Sequence, residues 1–218
     1  MQKLHALVLG ASGATGREIV KLLLQSSDFI KVSLFVRRPF DIKHNKLTIH
    51  QIDFSRLCDY KPFVKGDVLF SSLGTTRKEA GGKTKQYLVD FTYQYDFAKI
   101  ASDNRVNQYF LVSSIGANAK SFFFYPKIKG DLEEAVKLLN FKKIHIFQPP
   151  SLVRPLHMIR FSEKISLKFL SFVNKFGVLM SFRPLSVYDL ALKMISMVNS
   201  NNTKRICVYR HNDFSSED

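Results

Sequence analysis

The sequence predicts an α/β fold, a doubly wound parallel sheet in three α/β/α layers. Apolar runs of strand length alternate with stretches of helical periodicity, which is the pattern of βαβ units. The runs LHALVLG and YFLVSS are apolar almost throughout, as strands covered on both faces must be. The first run ends in three spaced glycines, and a helical pattern follows at once.

Strands are expected over Leu4 to Leu9, Ile30 to Val36, Leu47 to Ile52, Val68 to Ser71, Tyr109 to Ser113 and Ile144 to Phe147. Between the first two, Thr15 to Leu24 puts Ile19, Val20, Leu23 and Leu24 on one helical face. Tyr87 to Ala101 and Asp131 to Leu139 have the same three-four spacing. These helices serve as right-handed crossovers between parallel strands. Past Pro149 the pattern weakens, with helices expected over Phe161 to Phe176 and Ser186 to Val198 and a last strand over Arg205 to Tyr209. No linker or repeat divides the chain, so residues 1–218 read as one domain with a small substrate-side portion from about 150, and Ser215 to Asp218 as a fraying tail.

Composition narrows the class. The 218 residues are 45% hydrophobic and 23% charged, which suits a folded chain rather than a disordered one. Cys58 and Cys207 stand far apart in no metal or redox pattern, and the first apolar run leads straight into the glycine turn without the layout of a secretory leader. A cytoplasmic location is the expectation. A membrane span is not expected, because the most apolar late stretch, Ile165 to Met180, is interrupted by Lys168 and Lys175. The net charge of +15 would attract anions or nucleic acid. The lysines are dispersed and no RNA-binding signature accompanies them, so a solvated basic surface is the expected reading and nucleic acid is not the expected partner.

The segment LHALVLGASGATGREIVKLLL carries the main signal. In a Rossmann-type turn, Gly10 permits a tight bend, Gly13 lets the backbone approach a pyrophosphate, and Gly16 lets helix and strand pack closely. Ser12, Ala14 and Thr15 complete the turn, whose helix N-terminus presents unpaired N–H groups to an anion. A phosphate-binding loop of the nucleoside triphosphatase kind is excluded, since Gly16 is followed by Arg17 and Glu18.

After the second strand an NAD-binding chain usually offers a carboxylate to the ribose, whereas this one has Val36, Arg37 and Arg38. Paired guanidiniums suit a 2′-phosphate, so NADP(H) is expected over NAD(H). Asp53 and Phe54 follow the third strand as adenine contacts, with Asp53 equally suited to forming a turn. Ser72, Leu73 and Gly74 follow the fourth as a turn beside the cofactor, although Gly74 suits turn geometry alone.

The fifth strand opens YFLVSSIGANAKSFFFYPKIKGDLEEAV, with Ser113 and Ser114 at its end and Tyr125 four residues before Lys129. Residues four apart share a helix face, and an ammonium there favours phenolate over phenol, whose ordinary pKa is near 10. Pro126 suits a first helical turn. With GASGATG, the serines and YPKIK, the chain resembles the short-chain dehydrogenase/reductase superfamily, in the atypical branch of Tat-interacting-protein-30-like oxidoreductases, from about Leu4 through Val153. SSLGTT, VDFTY and RPLSVYDLA add to the likeness. The resemblance implies Tyr125 as general acid or base, Ser114 as the group orienting a carbonyl, with Ser113 as its substitute, and Lys129 as holder of the nicotinamide ribose. It puts Pro149 and Leu152 at the nicotinamide end, where Gln148, Pro149, Pro150, Ser151 and Leu152 replace the family's Arg-Pro-Gly turn.

Phe122, Phe123 and Phe124 read as packing residues rather than a lid, and His44, His50, His145 and His157 have no metal-ligand spacing. The expected function is an NADP(H)-dependent oxidoreductase acting on an unidentified small carbonyl or alcohol. Its rival is a non-catalytic NADP(H)-sensing regulatory or adaptor protein working through a protein partner.

Overall fold

The structure, a computed structural model, describes residues 3–153 and 184–214. The helix expected over Phe161 to Phe176 and the tail from Ser215 lie outside the described residues.

The first strand, β1 (Leu4–Leu9), sets the three-layer plan. Successive strand side chains point to opposite faces, so Ala6 and Val8 enter one core and Leu7 and Leu9 the other. On the first face, α1 (Ala14–Gln25) buries Ile19, Val20 and Leu23. Two strands extend the sheet to one side of β1, namely β2 (Phe29–Val36) and β3 (Leu47–Gln51). Four lie on the other side: β4 (Val68–Ser71), β5 (Gln108–Val112), β6 (Lys143–Phe147) and β9 (Ile206–Tyr209). The order is β3-β2-β1-β4-β5-β6-β9, and every neighbouring pair is parallel. A separate parallel pair joins β7 (Leu152–Val153) to β8 (Leu185–Ser186).

The second face is covered by α4 (Tyr93–Asp103), through Phe97, Ala98 and Ala101, and by α5 (Phe124–Lys137), through Leu132 and Val136. The last helix, α6 (Val187–Ser196), returns to the first face and packs Leu190, Ala191 and Met194 beside α1. The chain leaves β1 toward β2 on one side and later enters β4 on the other. That reversal opens a crevice beyond the carboxyl ends of the two strands.

Strand boundaries in the seven-stranded sheet fall within a residue or two of the expected ones, the short pair β7 and β8 was not expected, and two helices differ. The stretch expected from Tyr87 begins earlier, as α2 (Arg77–Ala80) and α3 (Lys83–Tyr87), and reaches α4 through a π-helical turn at Leu88–Thr92. The helix expected from Asp131 starts at Phe124, with Pro126 in its first turn, where a missing N–H costs nothing. Phe54–Phe63 forms an additional 3-10 segment. No helix among the described residues is long and apolar enough to cross a membrane.

One buried imidazole belongs to the core. His145 stacks on Phe110 at 4.3 Å and 7°, and its Nδ1 lies 2.9 Å from the Tyr209 hydroxyl. Burial, with Lys143 adding to it, lowers its pKa from 6.5 to about 4. Burial likewise lowers His5 to about 4, helped by Lys31 and opposed by Asp67. Both groups bind protons more readily when unfolded. Their stabilisation is therefore present above pH 6.5 and lost as pH falls from 6.5 toward about 4. Urea unfolding at several pH values is expected to give a stability that declines across this window, and His145→Phe, which keeps the stacking, to flatten the decline. An unchanged slope in the variant would remove His145 from the account.

Candidate functional site

The crevice begins at the turn after β1. Gly10 has φ +86°, and a Cβ there would stand 2.5 Å from the Leu73 nitrogen and 2.6 Å from the Ser72 carbonyl carbon. Only glycine lets the exits of β1 and β4 touch in this way. A Cβ on Gly16 would overlap the Gly10 carbonyl oxygen, so α1 starts tight against the turn. Gly13 is the N-cap, supplies no side-chain acceptor, and no acid occupies the first turn. The helix end is thus free for an anion.

From Gly13, Ala14 and Thr15 a cavity of about 650 Å³ runs past Ser72, Leu73 and Gly74 to Ser113, Tyr125, Lys129 and Leu152. Its size and glycine-lined entrance fit a dinucleotide, with the turn at the pyrophosphate and the Tyr125 end at the nicotinamide.

Lys129 is buried and forms an ion pair with Asp90, Nζ to Oδ1 3.2 Å. Asp90 comes from the π-helical turn, lies against Gly74, and accepts the Thr75 N–H at 3.2 Å. Burial pushes the Asp90 carboxyl up against the opposing pull of Lys129. For Lys129, burial alone would lower the pKa, but Tyr125, Asp90 and Glu133 outweigh it and hold the ammonium above its ordinary value. Its Nζ stands 5.9 Å from the centre of the Tyr125 ring, which is 40% exposed to the cavity mouth.

Strand alternation separates the two serines. Ser113 is buried, lines the cavity, and donates its hydroxyl to Glu133. Glu133 is buried as well and accepts the Gln148 amide on both oxygens, at 3.0 and 2.9 Å. Ser114, to which the resemblance assigns the orienting role, instead donates to the Ile115 carbonyl at 3.3 Å and is not among the lining residues. The serine that the fold brings to Tyr125 and Lys129 is Ser113.

The other expected contacts divide. Leu152 lines the cavity, whereas Pro149 is buried outside its lining and accepts the Ile115 N–H at 2.9 Å. Ser12 is exposed on the turn, its carbonyl accepting Arg17 Nε at 3.4 Å. Arg37 and Arg38 are exposed beyond β2, outside the cavity wall and without an ion pair among the described residues. Asp53 turns out to be a cap: its Oδ1 accepts the Ser55 N–H at 2.9 Å and hydroxyl at 2.7 Å, and these bonds lower its pKa. Phe54 packs on Tyr93 at 5.1 Å, so neither residue reaches the cavity. Phe124 lines the wall, but Phe122 and Phe123 are 104% and 77% exposed rather than packed. Asp90, Glu133 and Gln148 were given no role by sequence reasoning, although Asp90 lies within the VDFTY match.

Comparison with known proteins agrees with this geometry. Residues 10–137 match the family model described as NAD(P)H-binding. Protein HTATIP2 of Rattus norvegicus is 35% identical over 173 residues, covering 78% of this chain and 71% of that protein. The mitochondrial protein FMP52 of Candida glabrata is 37% identical over 153 residues, covering 70% and 66%. Among solved structures, a UDP-N-acetylglucosamine 4-epimerase from Methanobrevibacter ruminantium superposes with TM-score 0.72 at 14% identity, over 96% of this chain and 77% of that one. The turn, the parallel sheet and these relatives lead to one conclusion: the chain belongs to the NAD(P)H-binding family.

Proposed function

We propose that the protein is an NADP(H)-dependent oxidoreductase that interconverts a carbonyl and an alcohol. The observation that carries this reading is the meeting of Ser113, Tyr125 and Lys129 in the wall of a cavity that starts at the glycine turn. The N–H groups after Gly13 would hold the pyrophosphate, and Arg37 and Arg38 the 2′-phosphate, as exposed guanidiniums that form no ion pair among the described residues. When bound, the dinucleotide supplies or accepts the hydride.

The chain's own residues handle the proton. In reduction, the Tyr125 hydroxyl gives its proton to the carbonyl oxygen while the carbonyl carbon gains hydride, leaving an alcohol and a phenolate that water reprotonates. The Lys129 ammonium, kept charged by Asp90, stabilises that phenolate. Ser113, in the role first given to Ser114, would fix the substrate oxygen opposite Tyr125 by turning its one hydroxyl proton from Glu133 to that oxygen. The alternative role, an NADP(H) sensor acting through a partner, is favoured by one feature, the exposed Phe122 and Phe123 next to the cavity. A cytoplasmic location belongs to the proposal and is supported by two free thiols, Cys58 and Cys207; recovery of the protein with mitochondria in cell fractionation would contradict it.

Three measurements test the proposal. Fluorescence titration is expected to give tighter binding of NADPH than NADH, with Arg37→Ala/Arg38→Ala lowering that preference by about tenfold or more; equal affinities in the native protein would contradict it. Tyr125→Phe is expected to slow NADPH oxidation across a panel of aldehydes and ketones by about 10²-fold or more. Full biological activity in that variant would favour the sensor. Asp90→Asn is expected to cost about 3 kcal/mol in urea unfolding, because it strands a buried ammonium, and adding Lys129→Met should recover part of the loss.

A further inference from the structure

The cavity wall contains two cations that the cofactor does not explain. Arg77 and Lys83 both line it. They come from α2 and α3, which are joined through Gly81 and Gly82. Neither forms an ion pair among the described residues. Lys83 has its ammonium 5.3 Å from the ring centre of Phe124, the residue before Tyr125, so a positive charge stands beside the tyrosine end of the cavity.

The loop leading to Arg77 is held at several points. The Thr75 N–H donates to Asp90 at 3.2 Å, and the Thr75 carbonyl accepts the buried Gln86 amide at 3.3 Å. The Thr76 hydroxyl oxygen accepts the Glu79 N–H at 3.2 Å. Backbone already fixed before a ligand arrives loses less freedom on binding it. The dinucleotide's own anions are met elsewhere, by the glycine turn after β1 and by the arginines after β2. These two cations, without an ion pair among the described residues, line the same cavity as Tyr125 and are surplus to the dinucleotide.

We infer that the substrate is itself an anion, a carbonyl or alcohol compound bearing a carboxylate or phosphate that Arg77 and Lys83 receive while its reacting oxygen faces Tyr125. The guanidinium can grip two oxygens of such a group at once, and the ammonium supplies a second charge. This inference rests on the oxidoreductase reading, and it names the substrate class for the same cavity.

The test uses the full chain with paired probes of similar size. NADPH oxidation is followed with 4-carboxybenzaldehyde and with 4-methylbenzaldehyde. Calorimetry measures 4-(hydroxymethyl)benzoate and 4-methylbenzyl alcohol binding to protein saturated with NADP⁺. The carboxylated aldehyde is expected to have about tenfold higher kcat/KM, as two partly exposed ion pairs can supply. Arg77→Gln/Lys83→Gln should bring the ratio close to one while the affinity for NADPH changes by less than about threefold. Equal kcat/KM values in the native protein, or a ratio that survives the substitutions, would overturn the inference. So would a large loss of NADPH affinity with the ratio intact, which would assign the two cations to a cofactor phosphate. If neither aldehyde is reduced, the wider carbonyl panel tests the oxidoreductase reading and calorimetry decides the anion site alone. Binding of the carboxylated alcohol that the variant loses would uphold it, and binding of neither alcohol would overturn it.

Discussion

The absence of a side chain at Gly10 is the constraint on which the architecture of the site depends. The turn after β1 meets the chain at Leu73 after β4, and a Cβ at Gly10 would stand 2.5 Å from that backbone. The parallel order diverges on either side of these two strands, so their exits frame the crevice. Pulling them together makes the glycine turn and the Ser72–Gly74 turn two walls of one cavity, and brings the N-terminus of α1 to its floor. The tight seat of α1 at Gly16 then sets how far that floor lies from the helix of Tyr125 and Lys129.

The far end of the cavity is organised by buried charge rather than by apolar packing. A buried ammonium is tolerated only with a close partner, and Asp90 supplies it from a π-helical turn that breaks the regular ladder to deliver the carboxylate. Glu133 is a second buried carboxylate, satisfied by the Ser113 hydroxyl and the Gln148 amide. Four residues of α5, Phe124, Tyr125, Lys129 and Glu133, face the cavity or its supporting network, following the three-four recurrence of a helix. Shifting the start of α5 by one residue would turn that face away from β5. Its fixed point is Gly130, packed against the Asn118–Ala119 backbone where any Cβ would collide.

The fold was legible in the sequence because its signals are local. Near-continuous apolar strands buried on both faces, amphipathic crossovers and the three glycines each occupy a few consecutive residues, and every strand of the seven-stranded sheet was placed within a residue or two. Site features that depend on partners distant in sequence were not legible. The pairing of Asp90 with Lys129 joins elements 39 positions apart through a turn with no periodicity of its own. The choice between Ser113 and Ser114 depends on which phase of the alternation survives past the end of β5, and sequence cannot fix that phase by one residue. Asp53 was read as either a base contact or a turn-former; the neighbouring Ser55, two positions on, makes it a cap. Phe122 and Phe123 were read as packed because aromatics usually are, yet they precede α5 on a loop with no layer above it among the described residues.

The central claim is that one continuous cavity, from the glycine turn to Tyr125, takes the dinucleotide. Hydrogen exchange measured by mass spectrometry with and without saturating NADPH tests it most directly, because amide protection reports each wall separately. The account predicts slowed exchange together in peptides covering Gly13–Thr15, Ser72–Gly74 and Ser113–Lys129. Protection confined to one of these segments, or falling outside all three, would contradict it.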